Sequence, residues 1–125
     1  MKSTLFSEKA PAAIGPYSQG IGADGTIFIS GQLPIDAQTG KLGEGIEDQT
    51  RLCLENIRFV LESIGFSMAA IVKTTVFMTD LGDFGPMNAV YGKYFADTYP
   101  ARSTIQVAGL PKGASIEIEC IAKSE

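Results

Sequence analysis

Apolar and polar positions along the chain follow two different periods, and the change between them marks out the elements. From Tyr17 to Ala23 and from Thr26 to Ser30 the residues suit extended structure, and Asp24-Gly25 between them is a two-residue turn of the kind that closes a β-hairpin. Leu33 to Gly43 carries Pro34, Asp36, Thr39 and Gly40, turn chemistry that predicts a loop with room for a short strand. Between Ile46 and Gly65 the period becomes helical, with Ile46, Cys53, Leu54, Ile57, Val60, Leu61 and Ile64 on one stripe. Glu44, Glu47 and Asp48 put negative charge at the N-terminus of that helix, where its dipole favours it, and Gly65 is placed to end it.

After a Ser67-Met68-Ala69-Ala70 turn, the β-branched run from Ile71 to Met78 reads as a strand with both faces at least partly covered. A second helix is expected from Asp83 to Phe95, with Phe84, Met87, Tyr91, Tyr94 and Phe95 on one broad face. Gly85 and Gly92 weaken it, so packing must supply its stability. Pro100 closes a turn, Thr104 to Ala108 reads as a strand, and Gly109 to Gly113 as a loop. In the last strand, Ser115 to Lys123, the residues Ile116, Ile118, Cys120 and Ala122 alternate with Glu117, Glu119, Ile121 and Lys123. Two helices separated by strands predict an α+β fold, a single mixed β-sheet with both helices packed on one face. The half-polar face opposite them is left to water or to another subunit.

Composition narrows the chemistry. The 125 residues, 45% hydrophobic and 19% charged, contain no Pro- or Ser-rich linker, so one globular domain spanning 1–125 is expected. Ten basic residues against fourteen acidic ones leave a net charge of -4, the wrong sign for binding nucleic acid through its phosphates. The stretch from Met1 to Lys9 turns charged before an apolar region of signal-peptide length forms, and no apolar run approaches a membrane span; a cytoplasmic protein without membrane partners is expected. There is no histidine, which removes Ser-His, Cys-His and His-metal arrangements. The two cysteines, Cys53 and Cys120, cannot make a zinc site alone and read as core residues.

Several short segments carry candidate chemistry. Gly20-Ile21-Gly22-Ala23-Asp24-Gly25 matches a dinucleotide-binding pattern, but it spans the expected hairpin turn, with a strand where the phosphate-binding helix would have to start. Pro100 stiffens the entry to Arg102, whose guanidinium suits bidentate capture of a carboxylate; the residues alone favour a plain surface arginine. Glu117 and Glu119 share one strand face, as a solvated edge or with one carboxylate turned into a pocket to position water. Tyr17, Ser30-Gly31-Gln32 and Asn88 are polar groups beside glycine or on a helix surface, where turn and capping roles compete with ligand binding.

Taken together, Ala12-Ala13-Ile14-Gly15-Pro16-Tyr17-Ser18-Gln19, Ile29-Ser30-Gly31-Gln32, Val72-Lys73-Thr74-Thr75-Val76, Asp83-Phe84 with Asn88, Pro100-Ala101-Arg102-Ser103 and Ile116-Glu117-Ile118-Glu119 resemble the RidA (YjgF/YER057c-like) family over essentially the whole chain. The resemblance implies a fold like that of the small trimeric chorismate mutases, assembled as a homotrimer with a ligand site at each subunit interface. It implies hydrolysis of enamines and imines released by pyridoxal-phosphate dehydratases, 2-iminobutanoate and 2-iminopropanoate among them, to 2-keto acids and ammonia, with no cofactor and no metal. Residue by residue, it makes Arg102 the carboxylate anchor and Glu117 the group that holds or activates water. Tyr17, Ser30, Gly31, Phe84, Asn88 and Thr104 line the cleft. Many members carry cysteine at the Thr104 position, so a thiol contribution is not expected here. Two other readings stay open at this point: a regulatory protein that binds small keto or amino acids without turnover, and an endoribonuclease or translation inhibitor, against which the charge weighs.

Overall fold

Asp24 and Gly25 both adopt positive φ, +51° and +79°, as a two-residue hairpin turn matched to strand twist requires. They join β2 (Gly20–Ala23) to β3 (Thr26–Gln32) in a computed structural model that describes residues 1–124. The remaining elements are β1 (Lys2–Leu5), α1 (Gly45–Glu62), β4 (Ile71–Met78), α2 (Phe84–Tyr91), β5 (Ala101–Gln106) and β6 (Ile116–Lys123). The six strands make one mixed sheet in the order β1-β2-β3-β6-β4-β5, antiparallel except for the parallel β4–β5 pair.

Both helices cover one face of that sheet, as the spacing of apolar residues predicts. Cys53, Leu54, Ile57, Val60 and Leu61 of α1 and Met87 and Tyr91 of α2 pack on Ile27, Ile29, Val76, Met78, Ile116, Ile118, Cys120 and Ala122. Each large apolar side chain fully buried there is worth roughly 1.5–3 kcal/mol relative to exposure. The α1 helix stops after Glu62 and closes through Gly65, whose φ of +77° lets the Phe66 amide donate to the Leu61 carbonyl at 3.0 Å. No helix among the described residues is long and apolar enough to cross a membrane.

Three boundaries and one additional strand depart most from the sequence expectation. The first hairpin strand begins at Gly20 and not at Tyr17, because Gln19 is buried and its side chain is committed elsewhere. Its Oε1 accepts from the Ser7 amide at 2.7 Å, and its Nε2 donates to the Ser7 and Pro11 carbonyls at 3.1 and 2.9 Å. The short edge strand β1 was not foreseen. The second helix is α-helical only to Tyr91 and continues from Gly92 to Tyr94 as a tighter 3-10 turn, the glycine marking the change. Finally, β5 runs from Ala101 to Gln106 and not from Thr104 to Ala108, so Arg102 belongs to a strand and its direction follows from pairing.

Candidate active site

Arg102 lies on the edge strand β5 opposite Thr74 of β4, and Thr104 lies opposite Val76. Thr74 and Val76 are fully buried beneath the helices, so Arg102 and Thr104 project to the same side. There α2 meets them. Phe84, Asn88 and Tyr91 stand at i, i+4 and i+7, one face of the helix, and all three touch the guanidinium. Asn88 Oδ1 accepts from Arg102 Nη1 at 2.8 Å, and the guanidinium carbon sits 4.7 Å from the Tyr91 ring centre and 5.4 Å from that of Phe84. A cavity of about 350 Å³ opens beside them, lined by Asn88, Tyr91, Gly92, Tyr99, Pro100 and Arg102. The ion pairs among the described residues join Asp48 to Arg51 and Arg58 to Glu55 and Glu62, all on α1, which leaves the Arg102 charge without a carboxylate. Next to it, the Thr104 hydroxyl is buried and has no hydrogen-bond partner.

A second group forms on the opposite face. Glu117 pairs with Phe77, one residue out of phase with the buried Ile116 and Ile118, so its carboxylate points away from the helices. Between the Ile29–Cys120 and Gln32–Ile118 pairs the register shifts, so that Ser30 and Gly31 together oppose the single residue Glu119. The bulge brings the Gly31 backbone against Glu117: a Cβ at Gly31 would lie 2.7 Å from the Glu117 carboxyl carbon, closer than any real contact. Only glycine leaves the carboxylate where it is. Ser30 ties in the segment that carries Tyr17, its hydroxyl donating to the Ser18 carbonyl at 2.6 Å and its amide to the Gln19 carbonyl at 2.9 Å. The Tyr17 side chain is half exposed. Partial burial, and secondarily the charge of Glu119 on the same face, raises the pKa of Glu117 above its ordinary 4.5.

The residues singled out in the sequence therefore fall into two clusters. Arg102, Phe84, Asn88 and Thr104 meet under the helices at the β5 edge, whereas Glu117, Gly31 and Ser30 meet on the open face, with Tyr17 on the adjoining segment. Within one chain, Arg102 and Glu117 point to opposite sides of the sheet. Two residues to which the sequence reading gave no site role, Tyr91 and Thr74, belong with the first cluster. Their signal was the helix-face spacing Phe84, Asn88, Tyr91, which places a second aromatic ring beside the same asparagine. The cysteines stay out of the chemistry: both are buried, and burial pushes the Cys53 thiol well above its usual range and that of Cys120 up to about 12.

Comparison with known proteins bears on what these clusters do. The family model described as Endoribonuclease L-PSP matches residues 7–124. The chain is 50% identical to a RutC family protein of Pyrococcus horikoshii over all of both sequences. The chain belongs to the RidA (YjgF) family. A RidA-family relative from Salmonella typhimurium, 2-iminobutanoate/2-iminopropanoate deaminase, is 47% identical over 98% of each chain. The structure of Escherichia coli TdcF with bound serine superposes with a TM-score of 0.95 at 44% identity, covering 98% of this chain and 99% of that one. The RidA fold, two helices on one mixed sheet, is thus present over 98% of the chain.

Proposed function

We propose that the protein is an imine and enamine deaminase that converts 2-iminobutanoate and 2-iminopropanoate to 2-keto acids and ammonia, at sites shared between neighbouring subunits of a homotrimer. The observation that carries this reading is the division of the candidate residues into a cationic cluster and an acidic cluster on opposite faces of one sheet. Neither cluster suffices alone, and a neighbouring copy supplies the missing one. The open face is suited to such a neighbour: Ile21 and Ile121 flank the half-exposed Phe28 across β2 and β6, and Ile105 lies exposed near Glu117 on the strand beyond Phe77. The serine bound by TdcF, a small α-amino carboxylate, supports a ligand of this class.

In this reading Arg102 grips the substrate carboxylate with two parallel hydrogen bonds while Asn88 keeps the guanidinium turned toward it. Glu117 accepts a proton from water as the water oxygen attacks C2 of the imine, giving a carbinolamine. That proton returns to nitrogen to complete the neutral carbinolamine, and Glu117 then carries the hydroxyl proton to the amino group, so that ammonia leaves as the carbon–oxygen double bond forms. A carboxylate whose pKa is raised above its ordinary value is suited to taking and returning a proton in one cycle. Phe84, Thr104, Tyr17, Ser30 and Gly31 shape the walls.

Complementation tests the shared site directly. Arg102→Ala and Glu117→Gln should each lose about 100-fold or more in keto-acid formation from dehydratase-generated imine while keeping the fold. Co-expressed in equal amounts, the two inactive chains should recover about a quarter of wild-type activity, because random mixing leaves one intact site in three of every four trimers. Mixed trimers that stay inactive would show that each site takes both residues from one chain, and wild-type activity in the Arg102→Ala homotrimer would remove the anchor.

A further inference from the structure

Besides the residues already given roles at the site, one buried group acts on it from below. Tyr91 is almost entirely buried, its hydroxyl lies 2.7 Å from that of Thr74 on β4, the strand next to the edge, and its ring carries the Arg102 guanidinium at 4.7 Å. Thr74 is itself the residue paired with Arg102 across the β4–β5 register, and its hydroxyl is fully buried. The three groups close a triangle: backbone pairing joins Thr74 to Arg102, a hydrogen bond joins Thr74 to Tyr91, and a cation–π contact joins Tyr91 to Arg102.

We propose that Tyr91, locked by Thr74, is a positioning residue that sets the plane of the Arg102 guanidinium for carboxylate recognition. The inference rests on Arg102 being the carboxylate anchor. An arginine on an edge strand has four rotatable side-chain bonds and, without contacts, would sample many orientations of its fork; gripping two carboxylate oxygens requires one. Asn88 fixes a single nitrogen. The Tyr91 ring below the guanidinium fixes its plane, and the ring's own tilt is fixed because its hydroxyl is tied to the sheet. The contact costs no neutralising charge, so the cation stays available to an incoming anion. Phe84, at 5.4 Å and partly exposed, caps the same guanidinium without an anchor of its own.

The probe is 2-ketobutyrate, with its neutral amide as the control ligand, bound to the intact oligomer and followed by calorimetry. Tyr91→Leu, which removes the ring, should weaken 2-ketobutyrate roughly tenfold and leave the amide within about twofold, so that discrimination between charged and neutral ligand collapses. Tyr91→Phe and Thr74→Val each break only the lock and should weaken 2-ketobutyrate by about two- to fivefold, with the double variant no worse than either alone, because both remove one hydrogen bond. The corresponding KM values should rise with kcat within about twofold. Equal losses for the ketoacid and the amide would reduce Tyr91 to a packing residue, as would unchanged binding in a folded Tyr91→Leu; should that variant not fold, the Tyr91→Phe and Thr74→Val pair decides by the same criterion. If Arg102→Ala fails to weaken 2-ketobutyrate, the anchor itself is wrong; if Arg102→Ala weakens it and the Tyr91 and Thr74 variants do not, this inference alone falls.

Discussion

The two sides of the sheet hold their charged groups in opposite ways. On the helix side, Arg102 is surrounded by groups that favour the cation in one orientation: an amide oxygen at 2.8 Å and two aromatic faces. On the open side, Glu117 is crowded by a backbone that only glycine permits and shares its face with a second carboxylate, so the anion is disfavoured. A fixed charge binds; an unsettled one moves protons. The contrast separates the tasks that an imine hydrolase needs, and each side responds to a different kind of perturbation.

After removal of the Glu117 carboxylate itself, the largest effect expected on the open side comes from adding one methyl group. Gly31→Ala places a Cβ where the Glu117 carboxyl group now lies, so the carboxylate must turn away from the bulge. We expect kcat to fall by about 10- to 100-fold, part of the roughly 100- to 10,000-fold that a positioned general base is worth, with 2-ketobutyrate binding changed by less than about twofold because the carboxylate anchor belongs to the Arg102 cluster, which the bulge does not support. Steady-state kinetics alongside calorimetry separate the two. If binding fell as far as kcat, the division of labour between the faces would be broken.

The helix side makes a smaller and opposite prediction. Among the described residues, the Thr104 hydroxyl is the one buried side-chain polar group without a hydrogen-bond partner. Thr104→Val keeps the shape and removes the unsatisfied oxygen, so it should stabilise the protein by about 1 kcal/mol, seen as a rise of a few degrees in Tm. Destabilisation would mean that the hydroxyl has a partner in the assembled protein, and loss of 2-ketobutyrate affinity would identify that partner as the ligand.

The sequence disclosed what depends on neighbours along the chain. Asp24-Gly25 marks its hairpin, the stripe from Ile46 to Ile64 marks α1, and the alternation after Ser115 identifies the buried and open faces of β6. What it could not disclose depends on long-range pairing. β1 is four residues, of which only Leu5 is buried, and it exists because β2 accepts it. The same holds for the site. Glu117 and Arg102 are easily named, but their orientation follows from register: Arg102 pairs with Thr74 and Glu117 with Phe77, an odd separation along β4, which sends them to opposite faces. No local pattern carries that parity. Nor does local pattern distinguish Tyr91 as a core residue from Tyr91 as the support of a guanidinium, since both bury the ring.

The mildest perturbation probes the unsettled charge itself. Burial is the larger cause of the raised Glu117 pKa and Glu119 the smaller, so Glu119→Gln should lower that pKa part of the way and leave it above 4.5. If Glu117 must be ionised to accept a proton, kcat falls as pH drops through its pKa, and in Glu119→Gln this acidic limb should lie at lower pH with the plateau unchanged. Stability gives an independent check. Between 4.5 and the raised value the folded chain holds more protons than the unfolded one, so stability is lost as pH rises through that window. Glu119→Gln should make that loss smaller, read as a flatter dependence of Tm on pH, while Glu117→Gln should abolish it. An acidic limb that stays in place, or moves upward, would mean that the open face does not set the proton-transfer group, and the comparison between the two faces would lose its catalytic side.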